Sequence, residues 1–323
     1  MAQRVAAIDV GTNTVLLLVA EQREDGIAPL VERAEITRLG RGVDASGRLD
    51  PAAIKETVRV LAAFAAEARA LGVSDIACVA TSAARDAANG AEFFQAARGA
   101  AGLVPQIISG DEEARLVWRS AWRDFGGPSG PPPFPPAAPL AVLDVGGGST
   151  ELSFGDGPAP RGRRSLQVGA VRLTERHVRE DPISPATLAA LRAAARHALA
   201  PLAAMDGLGG LDGLGGLDGA RLVGVAGTVT TLASVLQALP AYDAERVHGA
   251  TLDLDQIEVL VERLAALPLA ARAALPGMEP KRADVIVAGA VVVAEATRLL
   301  GFERLTVSDR GVRWGLVYDR LEA

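Results

Sequence analysis

Cysteine occurs once, at Cys78, so no disulfide framework can form, and this usage fits a reducing compartment. Cys78 sits in the apolar run Ile76–Ala80 and is expected to be buried strand filler. Histidine is also scarce. His177, His197 and His248 lack metal-ligand spacing and read as structural or surface residues. No apolar run approaches the roughly 18 residues that span a membrane. Met1–Arg4 leads straight into an apolar segment without a signal-peptide layout, so a cytoplasmic protein with no membrane partner is expected. Positive charge is in deficit: the net charge of −6 argues against broad electrostatic binding to nucleic acid. A phosphate polyanion would therefore need a local basic cleft and a bound metal. What is present is globular in character. A hydrophobic content of 49% with 22% charged residues excludes disorder, and 323 residues suffice for two domains with full cores.

The organising stretch is Leu140–Phe154, LAVLDVGGGSTELSF. An apolar run ends on Asp144; Gly146, Gly147 and Gly148 follow, then Ser149, Thr150 and a second carboxylate, Glu151. The pattern predicts a buried strand that delivers Asp144 to its end and then turns tightly. Glycines let the backbone approach a ligand and aim its N–H groups at an anion. A carboxylate beside such a cradle requires a cation between the two negative groups. The pattern recurs at Val5–Ala20, where a strand ends on Asp9 and Gly11, Thr12, Asn13 and Thr14 form the turn. This internal repeat predicts two similar domains facing each other across a cleft. Thr14–Ala20 and Glu151–Phe154 read as strands, whereas a dinucleotide fingerprint or a Walker loop needs a helix there.

Along the chain, Ile27–Leu39 continues the first sheet. Asp50 caps a helix with Pro51 in its first turn, and Gly72 ends it. Asp75–Ala80 is a predicted strand, Ala87–Ala100 a helix, Val104–Ile108 a strand, and Gly110 to Asp124 a helix. The Pro-rich stretch 126–139 reads as a stiff linker between a first domain, 1–125, and a second, 140–310. In the second, a strand is expected near Arg164–Val168, and Gly169–Glu175 turns into a helix. Ser184–Ala204 is a further helix, and the low-complexity stretch 206–219 is a surface insertion. A strand at Leu222–Val225 runs into a third glycine turn, with Gly227 and Thr228, that opens a helix. Ala283–Leu299, Leu305–Val307 and Gly311–Leu321 are expected as helix, strand and helix. The order is α/β layering, twice.

The chemistry follows from residue types. Asp9 and Asp144 suit direct or water-mediated Mg2+, an ion that takes one or two carboxylates plus phosphate oxygens. Glu113, in a first helical turn, is either a dipole partner or a general base for water attack on phosphorus; Glu151 shares that role or binds metal. Arg85 follows the strand Asp75–Ala80, at the end where Asp9 lies if the two strands are parallel, and suits a phosphate clamp. Arg38, Arg41, Arg172 and Arg282 are weaker candidates of that kind.

Six segments together resemble the Ppx/GppA phosphatases, exopolyphosphatases and guanosine pentaphosphate phosphohydrolases of the actin-like ATPase and sugar kinase superfamily. They are Asp9–Thr14 (DVGTNT), Ala80–Asn89 (ATSAARDAAN), Ile108–Leu116 (ISGDEEARL), Asp144–Leu152 (DVGGGSTEL), Gly169–Glu175 (GAVRLTE) and Lys281–Ile286 (KRADVI). The resemblance implies two actin-like, ribonuclease H-like domains around an interdomain cleft, with the last helix (311–323) packing back on the first domain. It makes Glu113 the catalytic base, and Asp144 and Glu151 the metal and water-orienting carboxylates. It makes Asn13, Arg85, Gly147, Gly148 and Ser149 phosphate contacts. It further implies Mg2+, a homodimer, and polyphosphate or pppGpp as substrate. Longer relatives carry an extra C-terminal helical domain, so this chain, ending at Ala323, is expected to handle long polyphosphate less processively. A sugar kinase-like transferase and a non-catalytic nucleotide-binding regulator are rival readings of the same motifs.

Overall fold

The computed structural model describes residues 3–126, 139–205 and 219–322. Most of the predicted linker 126–139 and of the insertion 206–219 therefore lies outside the described residues. The chain divides into two compact units, Met1–Leu116 with Val312–Ala323, and Val117–Gly311.

The first unit begins with a meander of β1 (Arg4–Val10), β2 (Thr14–Arg23) and β3 (Gly26–Ile36). A short α1 (Val43–Ser46) precedes α2 (Pro51–Ala70), whose N-cap Asp50 accepts from the amides of Ala52 and Ala53, as the sequence predicts. Then come β4 (Asp75–Ala80), α3 (Ser82–Asp86), α4 (Gly90–Ala101), β5 (Gln106–Ile107) and α5 (Gly110–Ala121). The sheet order is β3-β2-β1-β4-β5. β1 runs antiparallel to β2 and parallel to β4.

A π-helical turn, Trp122–Gly126, follows α5. The second unit then repeats the plan. β6 (Leu140–Val145), β7 (Thr150–Gly155) and β8 (Gly162–Leu166) form its meander. Next are α6 (Ala170–His177), α7 (Pro185–Leu199), β9 (Arg221–Val225), α8 (Ala226–Leu236), α9 (Ala244–Val247) and β10 (Thr251–Asp253). α10 (Leu254–Ala266), α11 (Leu269–Ala273), α12 (Ile286–Leu299) and β11 (Arg304–Val307) complete it. Its sheet order is β10-β11-β9-β6-β7-β8, the first unit's plan plus one edge strand. α13 (Val312–Leu321) belongs to the first unit.

Burial explains the sequence patterns. Ala6, Ile8 and Val10 of β1 join a core with Leu61, Phe64 and Phe93, whereas Val5 and Ala7 lie with Trp314, Val317 and Tyr318 of α13. A strand covered on both faces reads as a continuous apolar run, not an alternation. Close approach of α13 to α5 requires Gly315, because a Cβ there would lie 2.2 Å from the Leu116 carbonyl oxygen. In the second unit every residue from Ile286 to Thr297 of α12 is buried, and the one charged side chain among them, Glu295, is paired with Arg192, Arg196 and Arg298.

Three expectations shift. The helix predicted at Ala87–Ala100 starts only at Gly90, as α4, and a separate short α3 over Ser82–Asp86 precedes it, with Asn89 in the break. Its side chain accepts from the Leu49 amide at 2.7 Å and donates to the Leu49 carbonyl at 3.1 Å. The predicted strand Val104–Ile108 shrinks to β5, which among the described residues is an edge strand paired with Val79 and Ala80. The predicted helix to Asp124 is α-helical only to Ala121. Between Gln237 and Arg282, where the sequence reading assigns nothing, lie α9, β10, α10 and α11.

Candidate active site

Each unit carries one half of the predicted constellation. In the second unit, β6 ends with Asp144 in register with Glu151 of β7 and Val225 of β9. Directly paired residues point to the same face of a sheet, so the two carboxylates are side-by-side neighbours. Glu151 is in register with Ser165 of β8, and the Ser165 hydroxyl donates to Glu151 Oε1 at 2.6 Å. Ser165 is a site residue that sequence reasoning missed; only the register of β7 against β8 reveals it. Burial pushes the Asp144 carboxyl up to about 6.

The glycine turn after Asp144 is closed by the Gly146 amide donating to the Ser149 carbonyl at 3.0 Å. Its other carbonyls are taken from one side. Gly146 O accepts from the Ala170 amide at 3.0 Å, and Gly147 O accepts from the Val171 and Arg172 amides at 2.9 and 3.2 Å. Gly148 O accepts from Arg172 Nε at 2.8 Å. In a planar trans peptide the C=O and the following N–H point in opposite directions. The amides of Gly147, Gly148 and Ser149 therefore face away from α6, and they meet no acceptor among the described residues. The contact between α6 and the turn needs Gly169, where a Cβ would lie 2.6 Å from Gly147 backbone atoms.

The first unit repeats this device with different parts. Gly11 donates to the Thr14 carbonyl at 3.0 Å. Thr12 O accepts from the Gly40 amide at 2.8 Å, and Asn13 O accepts from the Thr37 and Arg38 amides at 3.1 and 3.0 Å. The Asn13 amide is thereby turned away from the 37–40 segment. Asp9 is in register with Leu16, where the second unit has Glu151, so the repeat carries two paired carboxylates in one unit and one in the other. The parallel pairing of β1 with β4 places Asp9 beside Val79.

Beyond β4, Arg85 in α3 donates from Nη1 to the Ile108 carbonyl at 2.9 Å, and the same nitrogen lies 3.5 Å from Glu113 Oε2. Glu113 is 8% exposed. Arg85 Nη2 and Asn13 Nδ2 are among the buried donors of this unit for which no acceptor is found among the described residues. Buried donors are almost always satisfied in folded proteins, so each of these two fits an acceptor supplied by water or a ligand.

The third turn opens α8. Ala226 is held at φ 75, a left-handed conformation unusual for alanine. A Cβ at Gly227 would lie 2.4 Å from the Arg282 guanidinium, so that cation rests directly on the Gly227 backbone. Burial lowers the Arg282 pKa. Thr228 is buried beside it in the first turn of α8. Arg172, a weaker phosphate-clamp candidate, instead spans Gly148 O and Gln167 Oε1, the latter at 2.9 Å.

The described residues contain no group of three or more potential metal ligands. They do fit an ion of the magnesium kind, which needs only one or two carboxylates when phosphate oxygens complete its shell. Asp144 and Glu151 supply those carboxylates in register, and the burial of Asp144 is a penalty that a cation would relieve.

Comparison with known proteins agrees with the six motifs. The model of the Ppx/GppA phosphatase family matches residues 18–323. A Mycobacterium tuberculosis protein named Exopolyphosphatase 2 is 37% identical over 327 residues, covering 97% of each chain. The crystal structure of the Aquifex aeolicus Ppx/GppA family member is 30% identical, covers 100% of this chain and 98% of its own, and superposes with a TM-score of 0.79. An exopolyphosphatase structure from Cytophaga hutchinsonii, 24% identical and covering 99% and 98%, gives a TM-score of 0.86 and speaks for the fold alone.

Proposed function

The chain belongs to the Ppx/GppA phosphatase family, and from that premise we propose that it is an exopolyphosphatase, removing the terminal phosphate of inorganic polyphosphate by attack of water. The observation that supports this reading is the set of donors for which no acceptor is found among the described residues. These are the Gly147, Gly148 and Ser149 amides of one unit and the buried Asn13 Nδ2 and Arg85 Nη2 of the other.

The backbone of Gly146, Gly147, Gly148 and Ser149, with that of Gly11, Thr12, Asn13 and Thr14, binds non-bridging phosphate oxygens. Gly227 and Thr228 contact the next phosphates. Glu113 takes a proton from the attacking water, and Arg85 orients Glu113 while offering Nη2 to the phosphate. The bond from terminal phosphorus to its bridging oxygen breaks, giving orthophosphate and a chain one unit shorter. Ser165 holds one oxygen of Glu151 and so fixes the orientation of that carboxylate. A divalent cation, which we take to be Mg2+, would be held by Asp144 and Glu151, with Asp9 as a further carboxylate, and would neutralise charge on the phosphate oxygens. We place the enzyme in the cytoplasm, as a homodimer.

The same residues would serve removal of the 5′-terminal phosphate of pppGpp, and the name of the 37%-identical relative favours polyphosphate. Phosphate release from polyphosphates of graded length and from pppGpp, each with and without Mg2+, tests the proposal. Metal-dependent release from polyphosphate at the higher kcat/KM is expected. Faster release from pppGpp reverses the substrate assignment. Binding without turnover of either refutes hydrolysis and favours a regulator.

A further inference from the structure

We propose that Arg172 is a positioning residue: by clamping the Gly148 carbonyl it keeps the Ser149 amide aimed at the phosphate, and so sets affinity for the chain end without touching it. The inference rests on the phosphate-binding role proposed above for the glycine turn. Three consecutive glycines do not by themselves fix the direction of their amides, because glycine accepts either orientation of a turn peptide at little cost. Something behind the turn must choose. For Gly146 and Gly147 the choice is made by backbone amides at the start of α6, which holds both carbonyls. For Gly148 it is made by a side chain, Arg172 Nε at 2.8 Å.

Arg172 is well placed to hold that geometry. Its amide already donates to Gly147 O, its Nε reaches Gly148 O, and its Nη2 donates to Gln167 Oε1 at 2.9 Å. The planar fork of guanidinium makes these bonds at fixed angles, which a lysine ammonium does not. A cationic donor on the carbonyl also polarises the peptide and strengthens its N–H as a donor toward an anion. The first unit achieves the corresponding orientation of Asn13 with backbone amides from the 37–40 segment. The side-chain clamp is therefore a feature of the second turn, and one substitution reaches it.

The experiment compares the full chain with R172M, R172K and Q167A. KM and kcat are measured on polyphosphate, and equilibrium binding of tripolyphosphate with Mg2+ is measured in an E113Q background to block turnover. R172M is expected to raise KM and the tripolyphosphate Kd about tenfold, the loss of one hydrogen bond to a charged oxygen, with kcat little changed. R172K is expected to recover only a minor part of that loss, because an ammonium cannot hold Gly148 O and Gln167 Oε1 in one plane, and Q167A to shift Kd the same way by a smaller factor. Should R172M fail to fold, the R172K and Q167A shifts decide. Unchanged KM and Kd overturn the proposal, as does a loss confined to thermal stability. A wild-type chain that releases no phosphate refutes the proposed function instead. Tripolyphosphate affinity then still judges Arg172, and equal binding by all variants overturns its role.

Discussion

Replacing Glu113 by Gln separates chemistry from binding. Glu113 is 8% exposed, with Arg85 Nη1 3.5 Å from Oε2. Glutamine keeps the size and one acceptor but cannot take a proton. A positioned general base contributes about 10²–10⁴ in rate, so kcat on polyphosphate should fall by that factor, roughly 3–5 kcal/mol of barrier. KM should hold, because the phosphate contacts assigned above lie on other residues. The fold should survive as well. Arg85 retains the Ile108 carbonyl at 2.9 Å, and weakening its second contact removes about 1–2 kcal/mol, a thermal shift of several degrees at most. Steady-state phosphate release, tripolyphosphate binding and a thermal melt on the same preparation test all three statements. A kcat within tenfold of wild type removes Glu113 from the mechanism. A collapse of stability alongside activity shows instead that the Arg85–Glu113 contact holds the fold.

S165A removes the 2.6 Å hydrogen bond to Glu151 and should lower kcat/KM about tenfold, the equivalent of one hydrogen bond to a charged group; S165T should restore most of it, and an unchanged rate would remove Ser165 from the site. The Cys78 thiol, pushed up to about 12 first by burial and then by the nearby Asp9 charge, should resist alkylation at neutral pH in the native protein and react on unfolding; rapid native labelling would contradict the packing of β4. Glu258 in α10 is raised by burial but lowered more by hydrogen bonds from Arg192 and Arg298, for a net pKa below its ordinary 4.5. A carboxylate with a depressed folded pKa contributes stability above its unfolded pKa and loses it as pH falls through the folded value. Chemical denaturation below pH 4.5 should therefore show a shallower acid loss for E258Q than for wild type; parallel curves would refute the coupling.

What the sequence disclosed, and what it hid, divides along contact distance. The strand that ends on Asp144, the hairpin after it and the Asp50–Pro51 helix start are local patterns, and each is visible within a few residues. So is the recurrence of the first hairpin in the second. The carbonyl backing of the glycine turns is not local: Gly147 meets Val171, and Thr12 meets Gly40. GAVRLTE carries the resemblance to the family, yet nothing in its composition says that its first amides hold a turn more than twenty positions earlier. Ser165 is hidden for a related reason. Its partner Glu151 is fixed by strand register, and a shift of one residue would send the hydroxyl to the opposite face. Arg172 reads as a cation available to phosphate until its guanidinium is seen on Gly148 O and Gln167. α10 is a different case: Ile257, Leu260, Val261 and Leu264 keep a helical period and are all buried, so its signal is present in the sequence. β10 beside it has three residues, too few to show a pattern.

The most direct test of the account is to run polyphosphate hydrolysis in heavy-oxygen water with Mg2+ and to weigh the products by mass spectrometry. Attack of water on the terminal phosphorus predicts that every released orthophosphate carries one solvent oxygen while the shortened chain carries none. Release of unlabelled orthophosphate, label in the remaining chain, or no release at all would contradict it.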